Sequence, residues 1–327
     1  MFAPTARQRV AGIAAGCVAD ALFGDPRRGH PVAMFGSTAA VLEQRTYSDT
    51  RSAGAAHTGL LLGALAVLGA SAERAAARRG TVVAAGTTAA AVFVALGGTS
   101  LARTGNQMAR RLDRGDVDGA RRLLPSLCGR DPSVLDEAGL VRAALESVAE
   151  NTSDAHVAPL LCAAAGGIPA VLVYRGANTL DAMIGHRTPR YIRFGWAAAR
   201  FDDFANYVAA RVTAVLVASC APLVGGSSVG ALRAWARDAR RHPSPNAGVA
   251  EAAFAGALGV RLGGSTQYAH QLEIRPTLGD GPPPQVTDLR RAVRLSRAVQ
   301  LAAVGAAAGA VALSAVGRSG RRVCPPP

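Results

Sequence analysis

Five stretches of this chain carry no formal charge for about twenty residues each: 52–72, 80–102, 155–174, 212–232 and 298–317. At 1.5 Å per residue, a helix of that length crosses a bilayer core of about 30 Å. This leaves few folds. In lipid every backbone polar group must find its partner inside the segment, which helices do and open sheets do not. The expectation is all-α: a polytopic integral membrane protein with about four to six apolar helices. The plain alternative is a soluble bundle with the same helices buried. Alanine and glycine make up much of the apolar half of the chain, so each run is a weak insertion signal taken alone.

The runs differ in character. Residues 52–72 and 80–102 form a helical hairpin around the basic turn 73–79, ERAAARR, expected on the cytoplasmic side. Residues 155–174 contain Pro159, Gly166-Gly167 and Pro169. They predict a broken or re-entrant helix, tolerated at membrane depth only where protein or a cavity surrounds it. Residues 10–24 mimic a signal peptide, but Asp20 interrupts the apolar core and Gly24-Asp25-Pro26 is a turn, so no cleavage is expected. The chain reads as a single membrane-embedded domain, 1–327, with polar insertions at 103–154 and 233–297, the latter loop-rich. Asp131 before Pro132 reads as the cap of a helix running into ESVAEN, and Asn246 as the cap of a helix with Glu251 in its early turns.

The net charge is +14, and all 36 basic residues are arginine. Without lysine there is no Schiff base and no Walker A loop. Phosphate must be met by arginine forks, helix N-termini or a metal. The positive balance suits anionic lipid or anionic substrates. Nucleic acid is not expected as a partner, since aromatics are only 5% and no nucleic-acid-binding motif is present. The five cysteines form no CxxC pair and read as small buried hydrophobes.

Polar chemistry gathers between residues 142 and 211. Arg142, Glu146, Glu150 and Asp154 recur every fourth residue, one face of a helix. Asn178 and Asp181 follow the third apolar run, and Arg200, Asp202, Asp203 and Asn206 precede the fourth. Surface salt bridges would explain one such cluster. Three within 70 residues, flanking membrane-grade segments, point to a site, because an unpaired charge in an apolar medium is costly. If every run spans, these clusters fall on opposite faces. A re-entrant 155–174 instead puts Glu150 and Asp181 on one side, at the expense of the positive-inside rule for some arginine-rich turns.

The motifs GDPRRGHPV, ESVAENTSDAHVAPL, YRGANTLDAMIGHRTPRYIRFGWAAARFDDFANYVAAR, HPSPNAGVAEAAFAGALGVRLGG and RPTLGDG occur in this order. In them the chain resembles the adenosylcobinamide-phosphate synthase family of cobalamin biosynthesis, over well over half its length. One departure is Ala209, where that family usually has proline. The resemblance implies a multi-pass enzyme of the cell membrane with a cytoplasmic site. It implies ligation of aminopropanol or its phosphate to a propionate of adenosylcobyric acid, dependent on ATP and Mg²⁺, with a corrinoid as substrate. The lipid bilayer and other enzymes of that pathway are the expected partners.

Under that reading Glu146, Glu150, Asp154, Asp181, Asp202 and Asp203 are the catalytic candidates. Glu150, Asp154, Asp202 and Asp203 are expected to converge on Mg²⁺, which is held by one or two carboxylates plus phosphates and water. Arg142, Arg187, Arg200 and Arg211 are candidate phosphate or carboxylate forks. His30, Asn151, Asn178, Asn206, His242, Ser244 and Asn246 are candidate substrate or nucleotide contacts, and Glu146 or His242 a candidate base. An intramembrane Asp-rich prenyltransferase and a cation transporter are the competing readings. The first expects paired D-x-x-x-D clusters. The second expects acidic groups inside spanning helices and internal symmetry, and no repeat is evident.

Overall fold

The structure is a computed structural model that describes residues 4–26, 29–267 and 272–320. It is 80% helical. In chain order the helices are α1 (Ala6–Phe23), α2 (Pro31–Thr46), α3 (Arg51–Arg78), α4 (Thr81–Ala95), α5 (Gly98–Asp113), α6 (Val117–Leu123), α7 (Glu137–Thr152), α8 (Ala158–Ile184), α9 (Tyr191–Phe194), α10 (Trp196–Cys220), α11 (Ser228–Asp238), α12 (Ala247–Leu258) and α13 (Val286–Gly320). A short antiparallel hairpin, β1 (Leu262–Gln267) and β2 (Leu272–Leu278), precedes α13. Among the described residues five segments are long and apolar enough to cross a membrane: Arg51–Arg78, Thr81–Asp113, Glu137–Ile184, Trp196–Val224 and Val286–Ala315. The all-α, polytopic expectation holds.

The chain divides into two compact units. One holds the chain up to Gly97, Ala158–Ala205 and the chain from Ala303 on; the other holds Gly98–Val157 and Asn206–Ala302. In the first unit α1 packs along α4, and α8 packs on α3 and α4. The α1–α4 contact is close because Gly12 and Gly16 stand four apart on one face. A Cβ at Gly12 would lie 2.5 Å from Thr88 Cβ, and one at Gly16 2.7 Å from Val92 Cβ. Small residues at this spacing let membrane helices approach backbone to backbone. Leu61, Leu62, Ala177, Leu180, Ile184 and Phe194 form the buried core nearby.

Helix α8 is broken as the glycines and prolines predict. Gly167 adopts φ 67°, ψ −151°, and Pro169 follows inside the helix. Two charged side chains meet the freed backbone. Arg9 donates Nη1 to the Ala164 carbonyl at 3.2 Å, and Glu73 accepts the N–H of Ile168 at 3.4 Å. The two also pair with each other at 3.8 Å. This corrects the hairpin reading. ERAAAR is the last part of α3, and the turn to α4 is only Arg79-Gly80, with Gly80 at φ 108°. The charge of Glu73 is spent on the break in α8 and on Arg9, so it does not end α3.

The second unit packs α11 on α12, α12 on α7 and α5 on α7. Residues 233–297 are far more helical than their composition suggests. Helix α12 reads AGVAEAAFAGAL, apolar on every side but for Glu251, and it is buried on every side. The last apolar helix, expected from 298, begins at Val286.

Candidate functional site

The capping residue of α7 is Asp136, which accepts the Gly139 N–H at 2.7 Å. Asp131 instead closes a local turn on Ser133 at 2.9 Å, which corrects the expected start of the ESVAEN helix. That helix is buried through most of its length. Its regular stripe ends at Thr152, because Ser153–Val157 form a turn of π-helix. Glu146 and Glu150 keep the four-residue spacing within α7, and Asp154 lies in the π turn. Such π turns occur often at functional sites. This one is anchored by buried polar contacts: Thr152 Oγ1 donates to Ser296 Oγ at 2.7 Å, and His156 Nδ1 lies 3.5 Å from the same oxygen.

Both oxygens of Glu146 are satisfied. Arg130 Nη2 donates to Oε2, and the Gly263 N–H donates to Oε1 at 2.7 Å. Opposite stands a residue that the charge pattern did not single out as functional. Glu251, on α12, is 1% exposed. Arg275 Nη1 lies 3.7 Å from its Oε1 and His242 Nε2 3.9 Å from its Oε2. Neither Glu251 oxygen accepts a hydrogen bond among the described residues. Burial pushes its carboxyl well above the usual range. The negative charges of Glu146 and Glu150 push the same way, against Arg275 and Arg130. Three carboxylates thus share a region with two arginines, and burial there favours the neutral form of Glu251.

His242 is oriented for this partner. The Ser244 N–H donates to its Nδ1 at 3.1 Å, which leaves Nε2 toward Glu251. Ser244 Oγ accepts the N–H groups of Asn246 and Ala247, at 3.3 and 3.1 Å, and so caps α12. Asn246 occupies the cap position, its carbonyl accepting the Val249 N–H at 3.0 Å, but its side chain makes no capping hydrogen bond. Its Oδ1 accepts from Arg211 Nη1 at 2.8 Å, while the Arg211 guanidinium stacks 3.6 Å from the Tyr207 ring centre. Asn206 is buried. Asn151 turns back on its own helix, donating to the Ser147 carbonyl at 2.9 Å.

The other candidates lie in the first unit. Asp203 is flanked by the charges of Arg200 and Arg187, and Asp202 is buried. Asn178 accepts from Arg175 Nη1 at 3.2 Å. Asp181 Oδ1 folds against Gly185, where a Cβ would meet it at 1.9 Å. His30 caps α2, its Nδ1 accepting the Val32 N–H at 3.2 Å, with Nε2 3.7 Å from Asp25. Each unit thus gathers its own set. Arg142, Glu146, Glu150, Asp154, Asn206, Arg211, His242, Ser244 and Asn246 belong to one; His30, Asn178, Asp181, Arg187, Arg200, Asp202 and Asp203 belong to the other. Among the described residues no three His, Cys, Asp or Glu side chains form a ready metal cage.

A family profile described as "CobD/Cbib protein" matches residues 13–296. The chain belongs to the CobD/Cbib family. Relatives of this family chain include the "Cobalamin biosynthesis protein CobD" of Mycobacterium tuberculosis, 66% identical over 96% of this chain and 98% of that protein. Proteins of the same name in Geobacter metallireducens and Chromobacterium violaceum are 43% and 40% identical, over 84% and 91% of this chain and 88% and 95% of those proteins. No solved structure matches it. The CobD/Cbib match spans both ESVAEN and the α12 segment, so the Glu251 cluster lies wholly inside the family region.

Three contributors to the cluster besides Glu251 escape a reading of spacing: Arg130, Arg275 and the Gly263 N–H, each far from Glu146 in sequence or carried by backbone. Glu251 had a signal, as a lone charge in an otherwise apolar twelve-residue helix.

Proposed function

We propose that this chain acts in cobalamin biosynthesis, as a membrane enzyme that joins aminopropanol or its phosphate to a propionate of adenosylcobyric acid. The observation that carries the reading is the buried Glu146–Glu150–Glu251 cluster with Arg130, Arg275 and His242, in a chain 66% identical to a protein named for that pathway. A carboxylate and an amine in water form a salt and not an amide, so activation is required, and ATP is the proposed activator. The ammonium must also lose a proton. A buried carboxyl with raised proton affinity is a better base than an exposed one, which suits Glu251, oriented by His242. Arg142 and Arg211 are the proposed forks for anionic groups of the substrates.

Mg²⁺ suits this donor set. Glu150, in the same cluster as Glu146, offers hard carboxylate oxygens, the donor type that Mg²⁺ takes. Glu150 and Asp154 are the residues proposed to hold it in the second unit; Asp202 and Asp203 are the carboxylates proposed in the first. Held there, Mg²⁺ would supply positive charge to neutralise the nucleotide phosphates.

The test uses the full chain in detergent with adenosylcobyric acid, aminopropanol phosphate and ATP·Mg²⁺. The expected result is a corrinoid amide by mass spectrometry with one ADP per product. Absence of the amide from folded protein overturns the reading. A prenyltransferase or a cation transporter would release no ADP on addition of acid and amine.

A further inference from the structure

A cavity of about 530 Å³ opens in the second unit between the first turns of α7 and the entry to the β-hairpin. Its size falls within the range of small-molecule sites. Its walls include Arg142, Arg261, Asp136, Gly263, Gly264 and Pro283. The charged lining is therefore two guanidinium groups and one carboxylate. The two glycines, at φ 83° and 90°, leave backbone in place of side chain on one wall. A Cβ at Gly264 would lie 3.3 Å from Arg142 Nη1, so the guanidinium rests against that backbone. The same wall reaches the buried carboxylates, since the Gly263 N–H is the one that Glu146 accepts. The cavity and the Glu146–Glu251 cluster thus share a residue.

The charge pattern defines the occupant. Two planar forks match the oxygens of a phosphate, which carries about two negative charges near neutral pH. A single carboxylate beside them matches one ammonium. We infer that this cavity is the binding site for an aminoalkyl phosphate, its phosphate held by Arg142 and Arg261 and its ammonium by Asp136. The inference rests on the ligase reading for the fate of that amine, and on the cavity itself for its place. A nucleotide phosphate shares half of this chemistry, but it brings no ammonium for Asp136.

The test measures binding to the full-length protein in detergent by calorimetry. The ligands are aminopropanol phosphate, propyl phosphate, inorganic phosphate and ATP. The variants are Arg261→Gln and Asp136→Asn. Arg261 is exposed, so its replacement leaves the fold intact. Asparagine caps a helix as well as aspartate does, so Asp136→Asn keeps the start of α7 and removes only charge. Arg261→Gln should weaken aminopropanol phosphate roughly ten-fold or more, the scale of one charged hydrogen bond. The wild type should prefer the amine-bearing phosphate to propyl phosphate by a similar factor, and Asp136→Asn should erase that preference while propyl phosphate binds no worse.

Unchanged affinity in both variants overturns the assignment, as does ATP binding that Arg261→Gln abolishes while aminopropanol phosphate binding persists. If both variants bind normally and the wild type still makes the amide, the cavity assignment falls and the ligase reading stands. If the variants behave as expected and no amide forms, the reverse holds.

Discussion

Glu73 Oε1 accepts the backbone N–H of Ile168 at 3.4 Å, across two helices 95 residues apart in sequence. The N–H is exposed by the left-handed turn at Gly167, and Arg9 answers the same break by donating to the Ala164 carbonyl. A helix broken in apolar surroundings must have its freed groups bonded by something. Here a carboxylate and a guanidinium do it, neutralising each other as they do so.

Removing either one leaves the other charged and largely buried, with side chains only 13% and 14% exposed. Glu73→Ala and Arg9→Ala should each destabilise the protein by about 2 kcal/mol, the scale of a charged hydrogen bond. The double variant should be no worse than the worse single one, since it strands no charge. Thermal denaturation in detergent checks this; additive losses would mean that the two act independently. Gly167→Ala should be at least as damaging, since its Cβ would sit 2.1 Å from Glu73 Oε1 at a φ that disfavours alanine.

The second prediction concerns membrane residence. Val67, Leu68, Val82, Val215, Leu301 and Leu313 are exposed on helices with long apolar stretches. Such side chains on a water-soluble surface would aggregate. The protein should stay with membranes through a carbonate wash and should require detergent for extraction. Monodisperse protein released by carbonate alone would place these helices outside lipid.

Much of this was legible in the residues themselves. The charge-free runs mark the apolar helices, and Gly167 with Pro169 marks the break. What sequence could not show was where charges are satisfied across space. Glu73 reads as part of a polar turn until Arg9, from another helix, is seen beside it. Asp131 and Asp136 are both sound caps, and Pro132 favours the wrong one; only the Gly139 N–H decides. A four-residue spacing cannot reveal the π turn that begins at Ser153. Glu251 is marked in the sequence only as a lone charge in an apolar helix; its burial comes from α7 and α11 packing around α12 and not from its neighbours in sequence.

Glu150 and Asp203 carry the third prediction. Glu150→Gln and Asp203→Asn keep side-chain shape and remove charge, so both variants should fold. Each should lower amide formation at least a hundred-fold, about 2.7 kcal/mol of transition-state stabilisation. Thermal stability with and without Mg²⁺-ATP, measured beside turnover, separates a site role from a surface pair. Near-normal activity with unchanged Mg²⁺-ATP stabilisation in both variants would remove these residues from the site.

The last prediction follows from the proton on Glu251. Its carboxyl ordinarily titrates near 4.5, and burial beside Glu146 and Glu150 raises it well above that in the folded chain. Between 4.5 and the raised value the folded protein binds a proton that the unfolded chain has released. Stability therefore rises as pH falls through that window, and this contribution is complete below 4.5. Above the raised value the folded protein must carry a buried charge that Arg275 and Arg130 offset only in part. Glu251→Gln presents a neutral group of the same shape at every pH. It should match the wild type in acid, exceed it in thermal stability at high pH, and lose this part of the pH dependence. If Glu251 is also the base that takes the amine proton, turnover should fall in the same variant even where its stability has risen. Melting temperatures of both proteins in one detergent across pH 4 to 9, with amide formation measured at each point, give the answer. A Glu251→Gln variant less stable than the wild type at high pH would show that the ionised carboxylate is held by its arginines, and that the shift has the opposite sign.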